Sequence, residues 1–199
     1  MVDKYASFSE LTKNANEGRD FRVRLREQRG ATVVIAPHGG GIEPGTSEIA
    51  EAIAADDLSF YAFEGTKSSD NGDLHITSTR FDEPRCVGLV GASPRAISVH
   101  GEDSQRQVVF LGGRDAETLK RLRTSLVAKG FRVEQHENPD LQGEDQANIC
   151  NRSSNGAGLQ LELSKGLRRS FFQSLSKSGR RTKTERFHKF VAAVREIIR

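Results

Sequence analysis

Short apolar runs with strand spacing alternate along this chain with longer stretches of helical spacing. Thr32–Ala36 contains Val33, Val34 and Ile35 and reads as a buried strand, which the following glycines end and open into a loop. Further strands are predicted at Leu58–Phe63, with Phe60 and Phe63 in the core, and at Leu74–Ser78, Ala96–Val99, Gln107–Leu111 and Phe131–Gln135. Leu159–Leu163 sets Leu159, Leu161 and Leu163 against Gln160 and Glu162, the alternation of a strand with its apolar face inward.

Helical segments lie between these runs. One is capped by Thr46 or Ser47 and runs to about Ala55; another is capped by Asp82 and runs to about Gly91. Asp115–Lys129 is closed by Gly130, and the chain ends in helices at Lys165–Ser176 and Thr184–Ile198 around a basic hinge, Lys177–Lys183. A short helix near Phe8–Asn14 and a polar strand, Asp20–Glu27, come first, and Glu137–Ala147 is a polar loop. The alternation predicts an α/β fold: a mixed, mostly parallel sheet flanked by helices. At 199 residues the chain is expected to be a single domain spanning 1–199.

Composition narrows the class. Hydrophobic residues make up 35% and charged residues 29%, and no apolar stretch approaches the roughly 20 residues of a membrane span. The start, Met1-Val2-Asp3-Lys4-Tyr5, is polar where a secretory signal is apolar, so synthesis in the cytoplasm and no membrane partner are expected. Cys86 and Cys150 are too few for a disulfide framework and form no CxxC pair, so any metal site rests on histidines and carboxylates. The net charge is only +3, yet residues 165–199 hold 11 Lys or Arg against Glu185 and Glu196. With no Trp and two Tyr there is no stacking platform beside that charge, which argues against nucleic acid.

Candidate chemistry concentrates in Pro37-His38-Gly39-Gly40-Gly41-Ile42-Glu43-Pro44-Gly45-Thr46, directly after the first core strand. It lacks the Lys-Ser/Thr ending of a phosphate loop, and its contiguous glycines do not match a dinucleotide fingerprint. It does place an imidazole and a carboxylate at the carboxyl edge of a sheet on a turn flexible enough to face both at one ion. His100 repeats the context, a strand end beside glycine, and completes a two-His, one-carboxylate zinc set. Glu162, alone among leucines, is the candidate general base.

Together with Leu74-His75-Ile76-Thr77-Ser78-Thr79, Phe81-Asp82-Glu83-Pro84, Ser98-Val99-His100-Gly101 and Gln160-Leu161-Glu162-Leu163-Ser164, that stretch resembles the phage and bacillar poly-γ-glutamate hydrolases, in order, over about residues 5–198. The resemblance implies a compact relative of the carboxypeptidase A fold that hydrolyses γ-glutamyl amide bonds. It implies zinc held by His38, Glu43 and His100, with Glu162 as base. The first His and Glu are five residues apart here, whereas carboxypeptidases space them three apart, so the zinc loop must take a different path.

An anionic polymer substrate calls for cations in the cleft, and Arg80, Arg85 and Arg152 are the candidates, with His75 as a further substrate or transition-state contact. A monomer is expected, released on host lysis if the chain is phage-encoded. Two other readings stand beside this one: a zinc amidase for another acidic substrate, and a basic nucleic-acid-binding accessory protein.

Overall fold

Strands β1 (Phe21–Arg26), β2 (Thr32–Gly40), β3 (Ser59–Gly65), β4 (Arg95–Glu102), β5 (Val108–Gly113), β6 (Arg132–Glu134) and β7 (Leu159–Ser164) make one sheet ordered β1-β3-β2-β4-β7-β5-β6. The structure is a computed structural model that describes residues 3–199; Met1 and Val2, the start of the polar amino terminus, lie outside the described residues. β3, β2, β4 and β7 run parallel to one another, as do β5 and β6. β1 joins β3 and β5 joins β7 antiparallel. The mixed, mostly parallel sheet is thus the expected α/β architecture.

Helices cover both faces: α1 (Phe8–Leu11) and α3 (Pro84–Gly91) on one, α2 (Thr46–Ala54), α4 (Ala116–Ala128), α5 (Lys165–Phe171) and α6 (Glu185–Ile198) on the other. Strand alternation sorts the side chains. Val34, Ala36, Ile97, Val99, Leu159, Leu161 and Leu163 pack under α2, α4 and α6, while Val33, Ile35, Ala96, Tyr61 and Phe63 pack under α3. Both cores are closed to solvent, with these residues fully buried. No helix among the described residues is long and apolar enough to cross a membrane.

Several boundaries differ from the sequence reading. β2 does not stop at Ala36; it runs on to Gly40 with a register break between Ala36 and Gly39. No strand forms at Leu74–Ser78. A 3₁₀ turn spans Asn71–Leu74, and the backbone beyond it bonds to other partners: Thr77 N–H to the Asp3 carboxylate, Ile76 O to His38, and Ser78 O to Ile149 N–H. These partners draw the segment away from a strand ladder.

Glycine, not Thr46 or Ser47, caps α2. Gly45 sits there at φ +103°, Thr46 Oγ1 donates to Glu43 O, and Ser47 Oγ accepts Gly40 N–H. Glu83 caps α3 by accepting Cys86 N–H, because Asp82 is drawn to Phe8 N–H of α1. The helix expected over Lys165–Ser176 ends at Phe171, since Phe172 turns extended to bridge Lys183. Asp115 and Gly130 close α4 as expected, Gly130 at φ +80°.

Candidate active site

Even-numbered residues of β4 and β7 point away from the leucine core, so His100 and Glu162 emerge on the α3 face, paired in register across the two strands. His38 would follow Val34 and Ala36 toward α2 if β2 were regular. The register break turns it to the α3 face instead, where its ring meets Phe81 and stacks on His75 at 3.9 Å between centroids. β2 and β4 are adjacent, and the chain leaves their carboxyl ends toward opposite sides of the sheet, a position where α/β folds bind ligands.

The loop after β2 brings Glu43 back. Gly40 makes the turn at φ +65°, and Glu43 N–H closes it on His38 O at 2.9 Å. This folded-back path accommodates the five-residue His–Glu spacing. The Glu43 carboxylate then lies 3.1 Å from His38 Nδ1 through Oε1, while Oε2 accepts Gly101 N–H at 2.7 Å.

Proton placement shows what this cluster lacks. His38 Nε2 donates to Ile76 O at 2.8 Å, which leaves Nδ1 as a lone pair in the neutral ring. That Nδ1 faces a Glu43 oxygen and, at 3.1 Å, the Nδ1 of His100. His100 Nδ1 is 3.8 Å from Glu43 Oε2, and its Nε2 is held by Ser98 Oγ at 2.6 Å. Three acceptor atoms converging in a buried space require a cation between them, a proton or a metal. Two oriented imidazoles and a carboxylate fit zinc.

The charge states follow. Burial opposes a charge on His38, but the adjacent Glu43 carboxylate outweighs it and raises its pKa above the usual histidine value. Glu43 is buried too, yet His38 holds its pKa down at about 2. Burial and then the His38 charge push His100 down to about 3 and His75 to about 4. Glu162 moves the other way: burial, reinforced by Glu43, raises its carboxyl well above the ordinary range. Gln160 Nε2 donates to Glu162 Oε1 at 3.0 Å, and Asn148 fixes Gln160 in turn at 2.8 Å.

These groups line a cleft of about 1430 Å³, whose walls are the Asn138–Asp145 loop on one side and α5 with Gln173–Ser176 on the other. His75 also lines it, with a ring nitrogen grouped with ligand atoms of His38 and Glu43 within 4.8 Å of one another. None of the three expected arginines does. Arg85 is bound to Glu17 and Glu83, Arg152 donates to the carbonyls of Thr79, Phe81 and Ala147, and Arg80 is bound to Asp3.

The cations that do line the cleft are Lys165, Arg168 and Arg169, at the carboxyl end of β7. The sequence reading missed them, although their place straight after the Glu162 strand was the available signal. Arg168 is buried and donates to the carbonyls of Leu163, Pro44 and Glu102.

A family of known proteins shares this arrangement of motifs. The profile of the poly-γ-glutamate hydrolases matches residues 5–193. The chain belongs to the poly-γ-glutamate hydrolase family. It is therefore a hydrolase of amide bonds, with the carboxypeptidase-like α/β fold described above. Its sequence is 35% identical to the SPbeta prophage-derived protein YoqZ of Bacillus subtilis over 99% of this chain and 72% of that protein. It is 40% identical to YndL of the same species over 94% of this chain and 75% of YndL.

Among solved structures, a bacteriophage poly-γ-glutamate hydrolase superposes with a TM-score of 0.95 at 32% identity, covering 98% of this chain and 96% of that one. A zinc-free form of YndL superposes at 0.92 and 38% identity, covering 99% and 98%.

Proposed function

We propose that this hydrolase cleaves γ-glutamyl amide bonds in poly-γ-glutamate or a related γ-glutamyl peptide, with zinc held by His38, Glu43 and His100. The observation that carries the reading is the convergence of His38 Nδ1, His100 Nδ1 and the Glu43 carboxylate, three acceptors within 3.8 Å along the contacts that join them. Zinc bound to such a set polarises an amide carbonyl and lowers the pKa of a water. The zinc-free form of YndL, a relative of the same fold, supports zinc as the metal.

The chain's own residues supply the rest. Glu162, beside His100 in register, takes the proton of the attacking water and passes it to the departing nitrogen, which cannot leave as an amide anion. Its raised pKa suits the second half of that task, giving a proton to the nitrogen, while the first half needs the carboxylate form that a cation bound beside it would favour. His75 meets the substrate from the cleft wall, and Lys165 and Arg169 face the carboxylates of an anionic chain. Residue 1–199 acts as one such domain on this reading.

Part of the basic carboxyl-terminal segment is tied down within the fold. Arg180 is bound to Glu48, Arg195 and Arg199 to Asp57, and Arg186 lies over Phe131. The deciding experiment offers the protein γ-linked and α-linked glutamyl polymers with and without chelator. Chelator-sensitive cleavage confined to the γ-linked polymer is expected; cleavage that survives full metal removal would overturn the zinc assignment.

A further inference from the structure

Behind the cleft wall lies a buried carboxylate that no catalytic step uses. Asp3, 72 residues from its partner in sequence, is only 4% exposed at its side chain and sits behind His75. Its Oδ1 takes His75 Nδ1 at 2.6 Å, and its Oδ2 accepts Thr77 N–H and Arg80 Nη2, both at 2.7 Å.

The two residues it grips, His75 by its ring and Thr77 by its backbone N–H, lie on either side of Ile76. Ile76 supplies the carbonyl that receives the His38 Nε2 hydrogen. The strand expected at Leu74–Ser78 is absent, so a side chain from the far amino terminus does the work that a ladder would do in holding this segment.

The proton bookkeeping is forced by chemistry. A carboxylate accepts only, so the ring nitrogen bound to Asp3 must carry hydrogen, and Nε2 is the nitrogen His75 has left for the cleft. The same clasp keeps the Ile76 carbonyl aimed at His38, which keeps the His38 hydrogen on Nε2 and its lone pair on the side facing Glu43 and His100.

We propose that Asp3 is a positioning residue for the hydrolase site, setting the ring orientation and tautomer of His75 directly and of His38 through Ile76. The proposal rests on the reading of His38 as a metal donor and His75 as a substrate contact. Asn at this position cannot accept on both oxygens. If its oxygen stays on Thr77, its amide must donate to His75 and drive that ring's hydrogen to the other nitrogen.

The test follows Asp3→Asn in the full chain by three readings: nitrogen NMR of the histidine rings, zinc affinity by competition, and steady-state kinetics on γ-linked polyglutamate. The expected result is a His75 ring protonated at Nδ1 in the unsubstituted protein and not in the variant. Zinc affinity and kcat should each fall about 10–100-fold, the scale of lost outer-shell partners, with KM changed far less. Arg80→Ala removes a partner of Asp3 without touching either ring and should leave the tautomers unchanged.

Wild-type His75 protonated at Nε2, or a ring signature that Asp3→Asn does not alter, overturns the proposal, as does zinc affinity within two-fold of the unsubstituted protein. If Asp3→Asn does not fold, the wild-type tautomer decides alone. If the protein cleaves no γ-linked polymer, the functional reading falls, while the ring signatures and zinc titration still judge Asp3.

Discussion

Glu43 and Glu162 are the same residue type on one side of one sheet, and their surroundings drive them apart. Glu43 stays ionised because His38 faces it, whereas Glu162 is buried beside that negative charge and tends to hold a proton. Opposed environments of this kind separate an ion-holding carboxylate from a proton-carrying one. Glu162→Gln keeps the shape and the Gln160 contact but cannot carry a proton. Metal analysis of the purified variant should find zinc retained, and kcat should fall roughly 10²–10⁴-fold; loss of zinc would make it a ligand. The candidate histidines and glutamates were legible because short side chains at strand ends go where the backbone sends them. Arg80, Arg85 and Arg152 were not, because a long side chain's head group settles on whichever acceptor is nearest, here Asp3, Glu17, Glu83 and backbone carbonyls.

At the level of elements, the strands with dense apolar runs were read within a few residues of their positions, as was α4 with its Asp115 and Gly130 ends. The errors fall where side chains from distant segments capture backbone groups, as at residues 75–78, or where a competing partner removes the expected cap, as at Asp82. The junction of β4 and α5 is a tight one. A Cβ at Gly101 would lie 2.6 Å from the Arg168 guanidinium carbon, and the Gly101 amide holds Glu43. Arg168 is pinned by three carbonyls and cannot swing clear without giving them up. Gly101→Ala should therefore destabilise the protein by about 1–3 kcal/mol, the usual scale of overpacking. Thermal denaturation should show it as a lowered Tm, with zinc affinity weakened as Glu43 loosens.

Over the whole molecule, the cleft carries both signs of charge, with Asp103 beside Lys165. Lys165 and Arg169 stand on the α5 wall, and Asp140, Glu144 and Asp145 on the loop opposite. A chain bearing a carboxylate on every residue would be drawn to Lys165 and Arg169 and repelled by the Asp140–Asp145 loop. Lys165 is 40% exposed, which limits each such contact to about 0.2–1 kcal/mol in water. Lys165→Ala with Arg169→Ala should raise KM on the polymer by about 5-fold at low salt, and added salt should shrink the difference. Initial rates across an ionic-strength series would check this; a salt-independent KM would put the substrate elsewhere.

The register break in β2 decides which face of the sheet His38 serves. Strand positions come in two parities, and the parity of His38 is set by a single irregularity between Ala36 and Gly39. If β2 ran regular through this point with the same residues, the motif would stay in the sequence while His38 changed faces. The imidazole would enter the apolar layer beneath α2, and the site would vanish from an otherwise recognisable chain. The extra residue that the break absorbs, as much as the identity of His38, is what brings the imidazole into the site.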